Sequence, residues 1–246
     1  MFSKFLKDKK NVLISLLCIL VAIRLYSEPE SFFFWVMEGV ILCSGFDILI
    51  NKLFLKRTIF PKSAIITGFI LSGILDRGQP LVILAALCLV AVGSKYVLRV
   101  KGKHIFNPAN IGLFVAVALQ LPLVWTIESN IYLIMIVGLY LAYSYKKIPH
   151  IVGFLVVFIV FFGLLERSNP LQVLSWFFLF VMLIEPKTSG YGLWRGSAFG
   201  GIAGFVSVLA FHFLPNMDPF VSSLFVANLC NPVLDRFFIV KPKVIL

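Results

Sequence analysis

The residues of this chain that could do chemistry are few, and most stand inside long apolar runs. Asn228, Asn231 and Asp235 are spaced by three and four, which puts all three on one face of a helix, and Pro232 between them frees a carbonyl one turn back. Such a stripe either lines a binding cavity or hydrogen-bonds a neighbouring helix. Asn107 and Asn110 are three apart, with Pro108 suited to a first helical turn and Asn107 to its N-cap, so capping accounts for Asn107 and leaves Asn110 unexplained. The hydroxyls of Ser63 and Thr67 share a face, turned either to a cavity or back onto their own helix. Glu38 and Asp47 are nine apart, on opposite sides of a helix, and form no carboxylate pair; Asp47 is expected to meet Asn51 or a lysine. These groups bind and orient.

Other chemistries find no support in the pattern. His104, His150 and His212 are isolated and lack metal-ligand spacing, so no metal site is expected. There is no hydrolase elbow, zinc-protease helix, phosphate loop or dinucleotide fingerprint. Cys18, Cys43, Cys88 and Cys230 lie within apolar runs without a C-x-x-C pair, and read as small packing residues rather than disulfides or cluster ligands. Gly196, Gly200 and Gly204 form a ridge that admits a close neighbouring backbone.

The elements that must position these groups follow from composition. Of 246 residues 60% are hydrophobic and 13% charged, with a mean hydropathy of +1.00. At about 20 residues per membrane-spanning helix, the chain has room for roughly ten spans and no soluble domain. Apolar runs bounded by charge, proline or glycine lie at 11–27, 31–53, 62–76, 79–99, 106–124, 129–145, 148–165, 169–185, 193–214 and 218–238. The run at 62–76, about 22 Å of helix at 1.5 Å per residue, stops short of one interface or lines a cavity. The expectation is an all-α polytopic membrane protein, a single domain over 1–246 divisible into five-helix halves at 1–127 and 128–246.

Charge sets the orientation. Nineteen of the 22 basic residues fall on alternate connections, from Lys4, Lys7, Lys9 and Lys10 to Arg236, Lys241 and Lys243, and only Arg24, Arg77 and Arg167 fall on the other side. That other side collects Glu28, Glu30, Asp76, Glu128, Glu166 and Asp218. Both termini are therefore expected in the cytoplasm and the protein in the inner, cytoplasmic membrane, the first run being an uncleaved span. The net charge of +11 is topological: the expected partner is the bilayer, not nucleic acid.

Three segments, in order along the chain, resemble one family: the RnfD/NqrB membrane proteins of Rnf electron-transport complexes and of the sodium-translocating NADH:quinone oxidoreductase. Ser63-Ala64-Ile65-Ile66-Thr67-Gly68 looks like the family's Ser-Ala-x-x-Thr-Gly helix, and Phe106-Asn107-Pro108-Ala109 is similar to its Phe-Asn-Pro-Ala element. Ile184-Glu185-Pro186-Lys187-Thr188, followed by the glycine helix, resembles its Thr-Asp-Pro loop, with Ile and Glu in place of Thr and Asp. The ending Asn231-Pro232-Val233-Leu234-Asp235 is similar more loosely.

The resemblance implies a flavin-binding subunit of an ion-coupled electron-transport system, working with partner membrane subunits. It also implies a noncovalent flavin (riboflavin or FMN) among Ser63, Thr67, Phe106, Asn107, Asn110, Asn231 and Asp235, with Glu185, Lys187 and Thr188 as loop candidates. Family members attach one FMN to the threonine of a Ser-Gly-Ala-Thr motif in the outer loop after the Phe-Asn-Pro-Ala helix. Here that loop reads Trp125-Thr126-Ile127-Glu128-Ser129-Asn130, so no covalent FMN is expected. The alternative is a stand-alone transporter of a small polar or flavin-like solute using the same cavity, since five-helix repeats would be inverted as in many transporters.

Overall fold

The computed structural model of the chain describes residues 8–27, 30–100, 102–166 and 168–238, apart from the Lys103 side chain. Lys4, Lys7, Glu28, Lys101, Arg167, Lys241 and Lys243, which entered the charge pattern, lie outside the described residues.

The described chain is helical almost throughout. It comprises α1 (Lys9–Leu25), α2 (Glu30–Phe54), α3 (Lys62–Ile74), α4 (Leu81–Val97), α5 (Pro108–Ala118), α6 (Ile131–Ser144), α7 (Ile148–Leu165), the single turn α8 (Pro170–Val173), α9 (Leu193–Phe213) and α10 (Pro219–Phe237). A π-helical turn, Phe178–Met182, follows α8, and a small hairpin pairs Arg99–Val100 with Lys103–His104 before α5. Among the described residues α2, α7 and α9 are long and apolar enough to cross a membrane, while α3, α4, α5 and α6 are shorter apolar helices.

Capping fixes where several helices begin. The side chains of Asn107, Asn130, Asn169 and Asp218 each accept a backbone N–H of the first turn, and α5, α8 and α10 open on a proline whose missing N–H costs nothing there. Asn107-Pro108 thus has its structural counterpart in Asp218-Pro219.

Two predicted runs differ from one continuous helix. The run at 106–124 is helical only to Ala118; Gln120 takes a positive φ of 56°, and the chain continues extended beside the end of α3. Pro122 explains the stop, since it cannot donate into a helix and drives Leu121 out of helical geometry. The extended segment in turn satisfies backbone groups at the end of α3: Val124 N–H donates to Ile74 O at 2.7 Å and Ile127 N–H to Gly73 O at 3.0 Å. The run at 169–185 breaks at Leu174, whose ψ of 125° is extended. Ser175 restarts it, its hydroxyl accepting from Phe178 N–H at 3.0 Å. The Glu128 carboxylate sits at that restart, taking the Ser175 hydroxyl and the Trp176 N–H, both at 2.8 Å, where the helix dipole favours an anion.

Contacts repeat between the halves. α1 packs on α3 as α6 packs on the π-helical turn, α2 on α4 as α7 on α9, and α4 on α5 as α9 on α10. The halves meet through α1 against α6 and α5 against α10. Asn110 Nδ2 donates to Val221 O at 3.2 Å, and each residue stands two positions after the proline that opens its helix, so equivalent turns face each other there. Phe225 stacks between Phe106 and Phe114, with ring centres 5.0 and 3.8 Å away. Trp125, after α5, donates to Asp218 at the start of α10, and His104 and Ile105, before α5, share a cavity with Asn231 and Asp235 near the end of α10, so the two helices run antiparallel.

Within the halves two equivalent crossings are built from different residues. Asp47 of α2 accepts from Lys95 Nζ at 2.9 Å and from Tyr96 OH at 2.8 Å, and Asn51 donates to the same tyrosine at 2.8 Å. At the α7–α9 crossing, a side chain at Gly200 or Gly204 would meet the backbone of His150, Phe154 and Phe158, so the glycine ridge brings helices into backbone contact.

Candidate functional site

The side chains expected to form one polar cluster divide between two adjoining cavities. The smaller, about 80 Å³, lies among α1, α3, α6, the start of α5 and the loop after the π-helical turn. Ser63, Thr67, Asn107, Glu185 and Lys187 line it together with Lys10. Thr67 donates to Ser63 O at 2.9 Å, so its hydroxyl bonds back to its own helix while still bordering the cavity. Asn107 serves as the α5 N-cap, accepting from Asn110 N–H at 3.3 Å.

The larger cavity, about 550 Å³, lies between the hairpin, the 186–195 segment and the end of α10. Asn231 and Asp235 line it, with Arg99, His104, Lys187 and Arg195. Asn231 accepts from Arg195 at 2.8 Å and donates to Thr188 O, and Asp235 pairs with the same arginine. Pro186 and Lys187 border both cavities and form the wall they share.

Three expected site residues face neither cavity. Asn110 is fully buried at the α5–α10 contact described above, because its position on the first turn points it at the opposing helix rather than at the loop. Phe106 lies in the three-ring stack. Thr188 is buried behind the shared wall, where its hydroxyl donates to Glu185 at 2.9 Å and ties the loop's carboxylate in place. Asn228, on the same stripe as Asn231, is fully buried with both amide atoms unpartnered among the described residues.

The sequence reading missed Arg99, His104, Arg195 and Lys147. The arginines and Lys147 count as orientation signals in the charge pattern, and nothing in their spacing separates them from the rest. Lys147, on the link between α6 and α7, is wholly buried; its ammonium donates to Ser189 Oγ at 2.9 Å, to Gly190 O at 2.6 Å and to Ser189 O, with the Tyr191 ring centre 4.2 Å away. Its three donors meet only neutral acceptors. Burial first, then the charge of Arg195, brings its pKa down to about 7. It fixes the 189–191 stretch that walls the larger cavity. Burial and the surrounding charges of Lys187, Lys95, Arg99 and Lys10 bring His104 down to about 4, which reports a positive field around the hairpin.

Ligand pockets of drug-like size run to about 300–1,000 Å³, a range that includes the larger cavity and lies above the smaller. No protein-family model and no curated protein matches this chain.

Proposed function

We propose that the chain is a flavin-binding membrane subunit of an Rnf- or Nqr-like ion-coupled electron-transport system. Its ten apolar segments cross or enter the inner membrane with both ends of the chain on the cytoplasmic side, and it works with other membrane subunits. One observation supports this reading above the rest. The segments that carry the resemblance are scattered over more than a hundred residues, yet residues from all four border two adjoining cavities. In this reading the flavin occupies the larger cavity noncovalently, bounded by Asn231, Asp235, Arg99 and Arg195, and the smaller cavity beside it takes water or the small ion.

The deciding measurement is the visible spectrum of the detergent-purified full chain. A tightly held flavin, bleached by dithionite and restored by air, is expected. Protein that is colourless as purified and binds no added FMN or riboflavin overturns the reading. Denatured protein on a gel is expected to show no flavin fluorescence, because Thr126 lacks the flanking Ser-Gly-Ala. Single cysteines at Ser27 and Asn216 should react with an impermeant maleimide in intact cells and one at Tyr191 should not; the reverse pattern overturns the orientation.

The repeated contact pattern of the two halves favours a second reading, a transporter of a small polar or flavin-like solute. Proteoliposomes that accumulate riboflavin without partner subunits would select it.

A further inference from the structure

The larger cavity has more positive charge than its own groups neutralise. Arg195 is committed to Asp235 and Asn231. Arg99 donates through Nε to Lys95 O at 2.6 Å and lies 5.6 Å from the Tyr96 ring centre, contacts that hold its arm and leave its terminal nitrogens without a protein partner among the described residues. Lys187 likewise has no carboxylate within ion-pair distance among the described residues. α9 begins beside the cavity at Leu193 with no side-chain cap on its first-turn N–H groups, which adds the positive end of a 21-residue helix dipole. His104 Nε2, buried at the hairpin, has no hydrogen-bond partner among the described residues.

We propose that this cavity is a phosphate-binding site in which Arg99 and Lys187 hold the oxygens of a phosphate ester, while the Arg195–Asp235 pair and Asn231 shape the opposite wall. A phosphate dianion would offset the two cations that have no carboxylate, and its three oxygens can accept from guanidinium and ammonium at once. The lining also includes Val100, Ile105, Pro186 and Pro232, so the ester carries an apolar or aromatic body rather than a sugar chain alone. That the body is a flavin rests on the proposed function; the phosphate does not. If it is a flavin, the site selects FMN over riboflavin. The same phosphate chemistry could come from the headgroup of an anionic lipid.

The test uses the full chain, purified in detergent and in phosphatidylcholine nanodiscs, titrated with FMN, riboflavin and inorganic phosphate. FMN is expected to bind at least about ten-fold more tightly than riboflavin, the scale of one charge-assisted contact, and inorganic phosphate to displace it. Arg99→Gln and Lys187→Gln, at exposed positions where folding should survive, should each weaken FMN about ten-fold and leave riboflavin unchanged. If neither flavin binds but inorganic phosphate raises the melting temperature of wild type and not of the variants, the phosphate site stands and the flavin reading falls. If soluble phosphates do nothing while wild type, unlike the variants, retains phosphatidylglycerol through delipidation, the headgroup is the source. If no phosphate-bearing probe distinguishes wild type from the variants, the proposal is overturned.

Discussion

The α2–α4 and α7–α9 crossings occupy equivalent places in the two halves and are joined by opposite means. In the first half a buried carboxylate, ammonium and phenol hold the helices. In the second, glycines let backbones touch, and the nearest buried cation, Lys147, meets carbonyl and hydroxyl oxygens instead of an acid. A helix pair in apolar surroundings gains little from burying more apolar surface, so it is specified either by polar groups that must find each other or by shapes that fit only one way. These two crossings use one device each, although the first half also has a glycine contact elsewhere, between α2 and α3, where a side chain at Gly68 would meet the backbone of Gly39 and Val40.

Four perturbations test that contrast, the largest effect first. Lys95→Met leaves the Asp47 carboxylate buried without its ammonium and should cost about 3–5 kcal/mol, whereas the double variant Asp47→Leu/Lys95→Met should recover most of it. Denaturation in detergent measures both, and a double variant no better than the single would show that the pair is not the element holding α2 to α4. Gly200→Ala places a Cβ against the His150 carbonyl and should cost about 1–3 kcal/mol. Gly93→Ala on α4, which meets nothing within 4 Å, should be close to neutral. Equal losses at the two glycines would remove the distinction.

The third perturbation is pH. Lys147 has a folded-state pKa near 7, below its ordinary value of 10.5, so between those values the unfolded chain binds more protons and stability rises with pH. Melting temperature should increase from pH 7 to pH 9 in wild type and change less in Lys147→Met. A variant with the same slope would assign the effect to another group. The smallest effect is expected at Glu38→Gln, remote from both cavities, where stability and ligand content should match wild type.

Much of this was legible in the amino-acid pattern, and what was not has physical causes. Each of the ten apolar runs contains a helical region, because hydropathy reports burial and the helix satisfies its own backbone. Hydropathy does not report backbone shape: Leu123 and Leu174 are apolar and extended, and Pro122 is the residue whose chemistry stops α5. The N-cap of Asn107 was readable from one residue and its proline. Its counterpart, Asp218-Pro219, carries the same signal, a capping side chain followed by a proline at the first helical position. In the candidate site the amides and hydroxyls stood out against apolar neighbours, whereas Arg99, Arg195 and Lys147 were hidden among residues that set orientation. Only the fold separates a lysine that faces water from one that is wholly buried.

The wall of Pro186 and Lys187 that divides the two cavities gives them a common variable. An occupant of the larger cavity that draws the Lys187 ammonium toward itself changes the field and the space on the other face of the same residues. Whatever factor an anion on one side imposes on the affinity of a small solute on the other, reciprocity requires the solute to impose the same factor on the anion. A single side chain held between two chambers is thus enough to make their occupancies interdependent, without any helix having to move.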